Sequence, residues 1–401
     1  MNVVPSPAER GREREGAKPR ETMTTSLYYD ESHEAFRQTA RRFVEKEIIP
    51  HVDEWDEAGG FPRELYKKAA DVGILGLGYP EEYGGSPCDQ FHRIVLSQEL
   101  ARAACGGVSA SLMSHTIGSP PILAVGPEAM KKRVLPQVLS GEKISALAIT
   151  EPSGGSDVAQ LKTTARREGD HYIVNGSKMF ITSGVRADFY TVAVRTGGPG
   201  AGGVSLLLIE RGMEGFTQQP LKKMGWWASD TAQLFFDDVK VPVENLIGEE
   251  NKGFKYVMLN FNSERLGMAA GCTAFSRLCL EEAIAWARER KVFGARLADQ
   301  QVVRHKIVDM AMRVNATQAW LEQLAWRVQN GEKPAAEIAM LKNQATQTMA
   351  FCASEAVQIH GGMGFMRGTK VERIYREVKV NAIGGGAEEI MKDLAARQMG
   401  I

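Results

Sequence analysis

Apolar residues in the first third of the chain recur every three or four positions, which is the spacing of one face of a helix. In the stretch HEAFRQTARRFVEKEIIPHVDEWDE the apolar residues at this spacing are Phe36, Ala40, Phe43, Val44 and Ile48. LYKKAADVGILGLG and FHRIVLSQELARAAC are helical in character as well, and the turn signal PEEYGG separates them. The pattern predicts helices over about residues 29–140.

The pattern changes near residue 145, where short β-rich runs begin. These runs are KISALAIT, HYIVNGSKMFITSG, FYTVAVRT, VSLLLIE and AQLFFDDVKV, and turn signals separate them at the intervals of a sandwich or barrel. Amphipathic helical segments return from about 248 to 397 without any βαβ alternation, which disfavours a doubly wound nucleotide-binding fold. The sequence predicts an α+β multidomain chain, with a disordered arm at 1–25, an all-α domain at 26–146, a β domain at 147–247 and a helical domain at 248–401.

Two glycine-rich stretches resemble nucleotide-binding loops in composition. GGPGAGG (197–203) joins two predicted strands and opens no helix, so we interpret it as a hairpin loop. HGGMGFMRG (360–368) follows a predicted helix, whereas a dinucleotide fingerprint follows a strand. Its glycines leave open a close backbone approach to a ligand such as a phosphate.

Composition and charge narrow the possible functions. The 401 residues contain 49 Lys and Arg against 49 Asp and Glu, a balance that favours neither nucleic acid nor a polybasic membrane surface as a partner. Polar residues and a Pro-Pro pair break the longest uncharged run, so no membrane span is expected. The first 22 residues lack the apolar centre of a signal peptide, and Met23 is an alternative start. The five cysteines form no CxxC pair, which indicates no metal site and no disulfides and favours the cytoplasm.

Two adjacent charges interrupt an apolar helix face in the stretch FNSERLGMAAG. At about 100° per residue, Arg265 lies near the centre of the apolar arc and Glu264 lies at its edge. The apolar residues of this arc are Phe254, Val257, Met258, Phe261, Met268, Cys272 and Phe275. Two interpretations stay open: a structural ion pair, or a carboxylate whose pKa is raised by burial so that it can act as a general base.

Two stretches of the predicted β domain combine polar groups with apolar neighbours. AITEPSGGSD (148–157) ends a β run in small residues, whose N–H groups and hydroxyls suit a polar ligand, and an ordinary polar turn is the alternative that the stretch alone favours. KMFITSG (178–184) places an aromatic ring and a threonine two residues apart, on one face of a strand. This arrangement suits a flat heteroaromatic ligand, and a half-buried sheet is the alternative.

Together, and in this order, these motifs resemble the acyl-CoA dehydrogenase family over about residues 26–399. AITEPSGGSD and QIHGGMGF (358–365) resemble two family signatures, and KMFITSG, RKVFG (290–294) and the α-β-α order agree. The resemblance implies an N-terminal helical domain, a central β-barrel or sandwich domain and a C-terminal four-helix bundle. It also implies a non-covalent FAD, a homotetramer built as a dimer of dimers, and electron-transfer flavoprotein as the partner that accepts the electrons.

The family's cofactor contacts carry over to matching positions of this sequence. The implied FAD contacts are Leu147, Ile149, Thr150, Gly155, Ser156, Phe180, Ile181, Thr182, Arg290, Phe293, Gln301, Gln358, Gly361, Gly362 and Glu389. Of these, Arg290, Phe293, Gln301, Gln358, Gly361 and Gly362 match contacts to the FAD of a neighbouring subunit, so a monomer would not complete the site. Phe180 stands where many members have tryptophan.

The resemblance also assigns roles to the two adjacent charges. Many members place the catalytic glutamate in a loop before the last helix, and the matching position in NAIGGGAEEI is Gly385. In the branch that resembles isovaleryl-CoA and long-chain acyl-CoA dehydrogenases, the base instead precedes an arginine on the first bundle helix, as Glu264 precedes Arg265. The resemblance therefore implies that Glu264 removes the Cα proton while the Gly385 N–H stabilises the thioester oxygen. The implied substrate contacts are Ser156, Asn262, Arg265 and Gly384.

The expected reaction is FAD-dependent α,β-dehydrogenation of an acyl-CoA to the trans-2-enoyl-CoA. Gly384 stands where straight-chain enzymes often carry a tyrosine, so we hypothesise a branched or bulky acyl chain. The alternative is a flavin-dependent oxidase or monooxygenase on the same fold, which would react quickly with O2 after reduction. The Glu264–Arg265 pair argues against it, because a group-transfer monooxygenase has less need of a thioester Cα base.

Overall fold

The computed structural model describes residues 27–401, without the side chains of residues 259–262. The arm predicted at 1–25 lies outside the described residues. Helices come first, a sheet follows and helices return, which confirms the predicted order. The helices before the sheet are α1 (Glu31–Phe43), α2 (Val52–Ala58), α3 (Glu64–Asp71), α4 (Gln90–Ala101), α5 (Gly106–Leu112), α6 (His115–Gly118), α7 (Pro120–Val125) and α8 (Glu128–Leu139).

The first helix forms where the sequence combines a capping residue with an apolar stripe. The Asp30 side chain accepts hydrogen bonds from the N–H groups of Ser32 and His33, which otherwise have no partner in the first turn. The helix continues past Phe43 as one π turn. Ala40, Phe43, Val44 and Ile48 of the predicted stripe are buried. The stripe therefore faces the core of the N-terminal helical domain, as its spacing predicts.

The middle of the chain is a curled sheet. Its strands are β1 (Ser145–Ala148), β2 (Thr164–Glu168), β3 (His171–Thr182), β4 (Phe189–Arg195), β5 (Val204–Glu210), β6 (Phe216–Pro220) and β7 (Thr231–Pro242). The strand order is β1-β4-β2-β3-β7-β6, and β5 pairs with β4. GGPGAGG lies in the β4–β5 hairpin, as predicted. The Arg195 side chain holds this loop by donating to the carbonyls of Gly198 and Gly200.

The last part is a helical bundle around one long helix. Its elements are α9 (Gly253–Glu289), β8 (Lys291–Val292), β9 (Ala295–Arg296), α10 (Gln301–Gln329), α11 (Ala335–His360), α12 (Lys370–Ile383) and α13 (Glu388–Met399). Cys272 and Cys279 are buried among apolar side chains of the bundle. Met258 is 37% exposed, so its predicted place on the buried arc is wrong. Among the described residues, no helix is long and apolar enough to cross a bilayer.

A buried polar network joins the three parts of the chain. Glu377 on α12 is almost fully buried, and its Oε2 accepts a hydrogen bond of 2.8 Å from the N–H of Gly106, at the start of α5. Arg376 donates to Asp56 on α2 at 2.9 Å. A Cβ on Gly106 would lie 2.3 Å from Nε1 of Trp226, which precedes β7. Position 106 therefore favours glycine, and Asp56 also accepts a hydrogen bond from the N–H of Ala228, which joins the segment before β7 to the network.

Burial raises the pKa of Glu377 to about 8, so this carboxyl makes stability depend on pH. The folded chain keeps the proton between its ordinary pKa of 4.5 and about 8, whereas the unfolded chain releases it. This contribution to stability is complete below the ordinary pKa and is lost as pH rises through the folded pKa. We expect Glu377→Gln to flatten the fall in unfolding free energy between about pH 5 and 8. Urea unfolding of both proteins at several pH values measures this; equal slopes would contradict it.

Candidate active site

The motif AITEPSGGSD is anchored by a buried ion pair. The carboxylate of Glu151 accepts from Lys178 Nζ at 2.8 Å, and both side chains are buried. Lys178 also donates to the Ile149 carbonyl at 3.0 Å. Burial lowers the pKa of Lys178 to about 8, opposed by the charge of Glu151. The pair attaches the motif after β1 to β3, so the stretches 148–157 and 178–184 form one surface.

Removing one member of this pair is expected to destabilise the fold strongly. Lys178→Met leaves Glu151 charged, buried and without its counter-ion, which costs about 3–5 kcal/mol. The double variant with Glu151→Gln leaves no buried charge and should lose less. Denaturant unfolding of both variants measures the difference. A single variant no less stable than the double variant would show that the pair has no such role.

A bulge in β3 changes the surface that the sequence predicts. Pairing with β7 shifts between Lys178 and Ile181, and Phe180 has a φ of +63°. Strict alternation is therefore interrupted here, so the prediction that Phe180 and Thr182 share a face by strand periodicity is wrong. The Phe180 ring is 67% exposed, while Thr182 is half-buried and Ile181 is buried. The bulge presents a flat ring at the surface beside the motif.

The other predicted contacts on this surface range from half-buried to exposed. Leu147, Ile149 and Thr150 are half-buried where β1 ends. Gly155 and Ser156 lie in the exposed turn that follows. These residues, together with the exposed Phe180 and the half-buried Thr182, are therefore all at least partly accessible to a ligand.

The structure brings Glu264, Arg265 and Gly385 together, although 120 residues separate Arg265 from Gly385 in sequence. Arg265 is 5% exposed, and its Nε donates to the carbonyl of Gly385 at 3.2 Å. A Cβ built on Gly385 would lie 4.0 Å from Glu264 Oε1. The loop between α12 and α13 thus lies against the carboxylate, and the Asn262 side chain lies outside the described residues.

Burial raises the pKa of Glu264, and the charges of Arg265 and Lys342 oppose this rise. A carboxyl whose pKa is raised in this way holds a proton more tightly than an exposed one, which suits a general base. Gly385 has a φ of +66°, a conformation that glycine adopts readily. No described residue accepts a hydrogen bond from its N–H. A candidate base and a candidate hydrogen-bond donor therefore both belong to the region where this loop meets α9.

Lys342 is a site residue that the sequence reasoning missed. It is fully buried on α11, and its Nζ donates to the carbonyls of Ala382 at 3.2 Å and Gly386 at 2.8 Å. These two carbonyls flank Gly385, so the ammonium group holds the loop on both sides. The sequence contains a sign of this role, since Lys342 interrupts the apolar stripe of IAMLKNQATQTM. Glu264 interrupts the apolar stripe of α9 in the same way.

The third group of predicted contacts lies far from Glu264 within one chain. Arg290 directly follows α9, and about 1.5 Å of rise per residue separates it from Glu264 by about 40 Å along the axis. The exposed members of this group are Arg290, Phe293, Gln301, Gln358, Gly361 and Gly362. Glu389 is also exposed, in the first turn of α13. One chain alone therefore does not bring all the predicted contacts together.

The residues fit a flavin dinucleotide in chemistry. The exposed Phe180 ring and the nearby Thr182 offer an apolar surface and a hydroxyl for a flat ring system. Arg290 offers a guanidinium for a pyrophosphate. A Cβ on Gly361 or Gly362 would meet nothing within 4 Å, which leaves their backbone open to a ligand.

Two clusters of potential metal ligands occur among the described residues, and neither is part of this site. They are His33, Asp89 and His92, and Asp56, Cys105 and Glu377. In the first, Nδ1 of His33 accepts from the Asp30 N–H, which assigns the ring proton to Nε2 beside Asp89. In the second, Asp56 already accepts from Arg376. In both clusters, side chains that could bind a metal ion already form hydrogen bonds within the protein.

Comparison with known proteins identifies this order of helical domain, curled sheet and helical bundle as the fold of a flavin-dependent dehydrogenase. The chain matches the models of the acyl-CoA dehydrogenase N-terminal domain over residues 30–142, middle domain over 146–239 and C-terminal domain over 251–400. The protein belongs to the acyl-CoA dehydrogenase family. Members of this family are FAD-dependent oxidoreductases.

Individual relatives cover almost the whole chain. The long-chain specific acyl-CoA dehydrogenase of Sus scrofa is 37% identical over 92% of this chain and 87% of its own. The structure of acyl-CoA dehydrogenase from Geobacillus kaustophilus is 37% identical, with a TM-score of 0.91 over 94% of this chain and 100% of that one. A chain in a structure described as the electron-transferring flavoprotein of Acidaminococcus fermentans is 33% identical, with a TM-score of 0.89 over 93% and 99%.

Proposed function

We propose that the protein dehydrogenates an acyl-CoA between Cα and Cβ, with Glu264 as the base. The observation that carries the proposal is the approach of the Glu264 carboxylate to Gly385, in a buried setting that raises its pKa. A base removing a proton from Cα of a thioester needs this raised pKa. The enolate-like oxygen that forms needs a donor beside it, and the Gly385 N–H supplies one.

Each residue has a separate task in this proposal. Glu264 accepts the Cα proton, and the bond between Cα and its hydrogen supplies the electron pair of the new double bond. FAD, when bound, accepts the hydride that leaves Cβ. Arg265 holds the Gly385 carbonyl, so that the N–H of the same residue stays directed toward the thioester oxygen. Ser156 and Asn262 are proposed to contact the substrate, and Phe180, Thr182 and the neighbouring motif to contact the flavin.

We propose a branched or bulky acyl chain as the substrate, because Gly384 carries no side chain where straight-chain enzymes often carry a tyrosine. We also propose electron-transfer flavoprotein as the electron acceptor and a homotetramer as the assembly. Exposed apolar side chains in the C-terminal helical part support an assembly; they include Phe293, Val302, Val308, Met312, Phe365 and Met366. Five free cysteines support a cytoplasmic location.

Anaerobic bleaching of the bound flavin tests the proposal directly. Purified protein is mixed with isovaleryl-, citronellyl-, butyryl- and octanoyl-CoA, and the flavin absorbance is followed. We expect rapid bleaching, fastest with the branched thioesters. No bleaching with any thioester would overturn the dehydrogenase proposal, and clear preference for the straight chains would overturn the substrate class. Reoxidation by air faster than by electron-transfer flavoprotein would favour the oxidase alternative.

A further inference from the structure

The side chain of Met268 fills the space that a side chain at position 385 would need. A Cβ on Gly385 would lie 2.6 Å from Sδ of Met268 and 3.4 Å from its Cε. Side chains essentially never approach a Cβ to 2.6 Å, so methionine at 268 and any larger residue at 385 exclude each other unless one moves.

Met268 also borders the proposed base. It follows Glu264 by four residues on α9, so both side chains lie along one helix face. The same Cβ position on Gly385 is 4.0 Å from Glu264 Oε1. The thioether therefore forms part of the wall of the space where substrate carbons would meet the carboxylate.

The contact extends to the neighbouring glycine. A Cβ on Gly384 would lie 4.0 Å from Cε of Met268, at ordinary contact distance. The two glycines alone would leave a wide gap in this wall, and the methionine occupies the part beside Gly385. Because methionine is unbranched and rotates about three bonds, it can fill this gap in more than one way.

We propose that Met268 is the specificity-determining residue of the site. It sets the width that the glycine loop leaves beside Glu264 for substituents on Cα and Cβ of the acyl chain. This inference rests on the proposed dehydrogenation. A smaller residue at 268 opens the space to a branch, and a larger one closes it.

Isovaleryl-CoA and butyryl-CoA test this role, because they differ by one methyl group on Cβ. One methyl in an apolar pocket changes kcat/KM by about tenfold or more. We expect Met268→Ala to raise the isovaleryl-to-butyryl ratio of kcat/KM by about tenfold, and Met268→Phe to lower it by a similar factor. Met391→Ala is the matched control, because Met391 packs against Gly386 instead and should leave the ratio unchanged.

A second experiment tests the contact without any substrate. Gly385→Ala suffers both the strain of its φ of +66° and the clash with Met268. In a Met268→Ala background only the strain remains. Gly385→Ala should therefore destabilise that variant less than it destabilises the wild type, by about a factor of ten in the unfolding equilibrium constant. Gly386→Ala should show no such coupling to Met268→Ala.

The outcomes separate the inference from the proposed function. If the wild type bleaches with acyl-CoA but both Met268 variants keep its ratio, the specificity role is wrong and the dehydrogenation stands. If no thioester bleaches the wild type, the proposed dehydrogenation and the specificity role of Met268 are both wrong. If Gly385→Ala costs the same in both backgrounds, the contact between Met268 and position 385 does not exist in solution.

Discussion

Glu264→Gln is expected to slow acyl-CoA-dependent flavin bleaching by about 10²–10⁴-fold, the usual contribution of a general base. The amide keeps the size of the carboxylate but cannot accept the Cα proton. Binding should change much less, because Arg265 and Lys342 still hold the Gly385 loop. Stopped-flow bleaching over a range of substrate concentrations separates the two effects.

Glu388→Gln is the matched control for this variant. Glu388 lies three residues after Gly385, and its side chain accepts a hydrogen bond from Gln347 at 3.1 Å. Of the two carboxylates in the chain segment where many relatives carry the base, Glu388 is the nearer to Gly385 in sequence. A normal rate for Glu264→Gln together with a large loss for Glu388→Gln would transfer the role of base to the loop.

Lys342→Met is expected to loosen the loop and to shift the pH dependence of bleaching. Hydrogen bonds from a charged group contribute about 1.5–3 kcal/mol each, and burial of the ammonium group offsets part of the two that are lost. The Lys342 charge lowers the pKa of Glu264, so its removal raises that pKa. Because only the ionised carboxylate accepts a proton, the lower pH limit of bleaching should move to higher pH.

Lys306→Met provides the comparison for the loss of a lysine from the bundle. Lys306 on α10 pairs with Glu355 on α11 and touches no residue of the proposed site. The Lys306→Met substitution should lower the unfolding free energy only slightly, since partly exposed ion pairs contribute about 0–1 kcal/mol. Rate constants of flavin bleaching, measured from pH 5 to 9 for both lysine variants, show whether the pH midpoint shifts. An unchanged midpoint in Lys342→Met would mean that its charge does not act on Glu264.

The order of domains could be predicted because each kind of element leaves its own period in the sequence. The burial of Arg265 and the partial burial of Glu264 followed from the same periodicity, whereas Met258 near the start of α9 departs from it. Periodicity also failed at Phe180, where a bulge interrupts β3. Bulges depend on pairing with β7, which strand periodicity alone does not specify.

The proximity of Glu264 to Gly385 could not be derived from local pattern, because it depends on how α12 packs on α9 and α11. The resemblance supplied that pairing, and the geometry agrees with it. The role of Lys342 was not predicted from the sequence for a different reason. Lysines in helices are usually exposed, so one lysine in an apolar stripe carries less weight than two adjacent charges.

The left-handed backbone at Gly385 has a consequence for how such chains diverge. A glutamate at this position would need a φ that side chains rarely adopt, and its Cβ would meet the sulfur of Met268. Moving the base from helix to loop thus requires changes at 264 and 385 and either a new rotamer or a smaller residue at 268. A chain that lost Glu264 first would have neither carboxylate and would be inactive, so the order of the substitutions matters: the loop has to gain its glutamate before the helix loses its own.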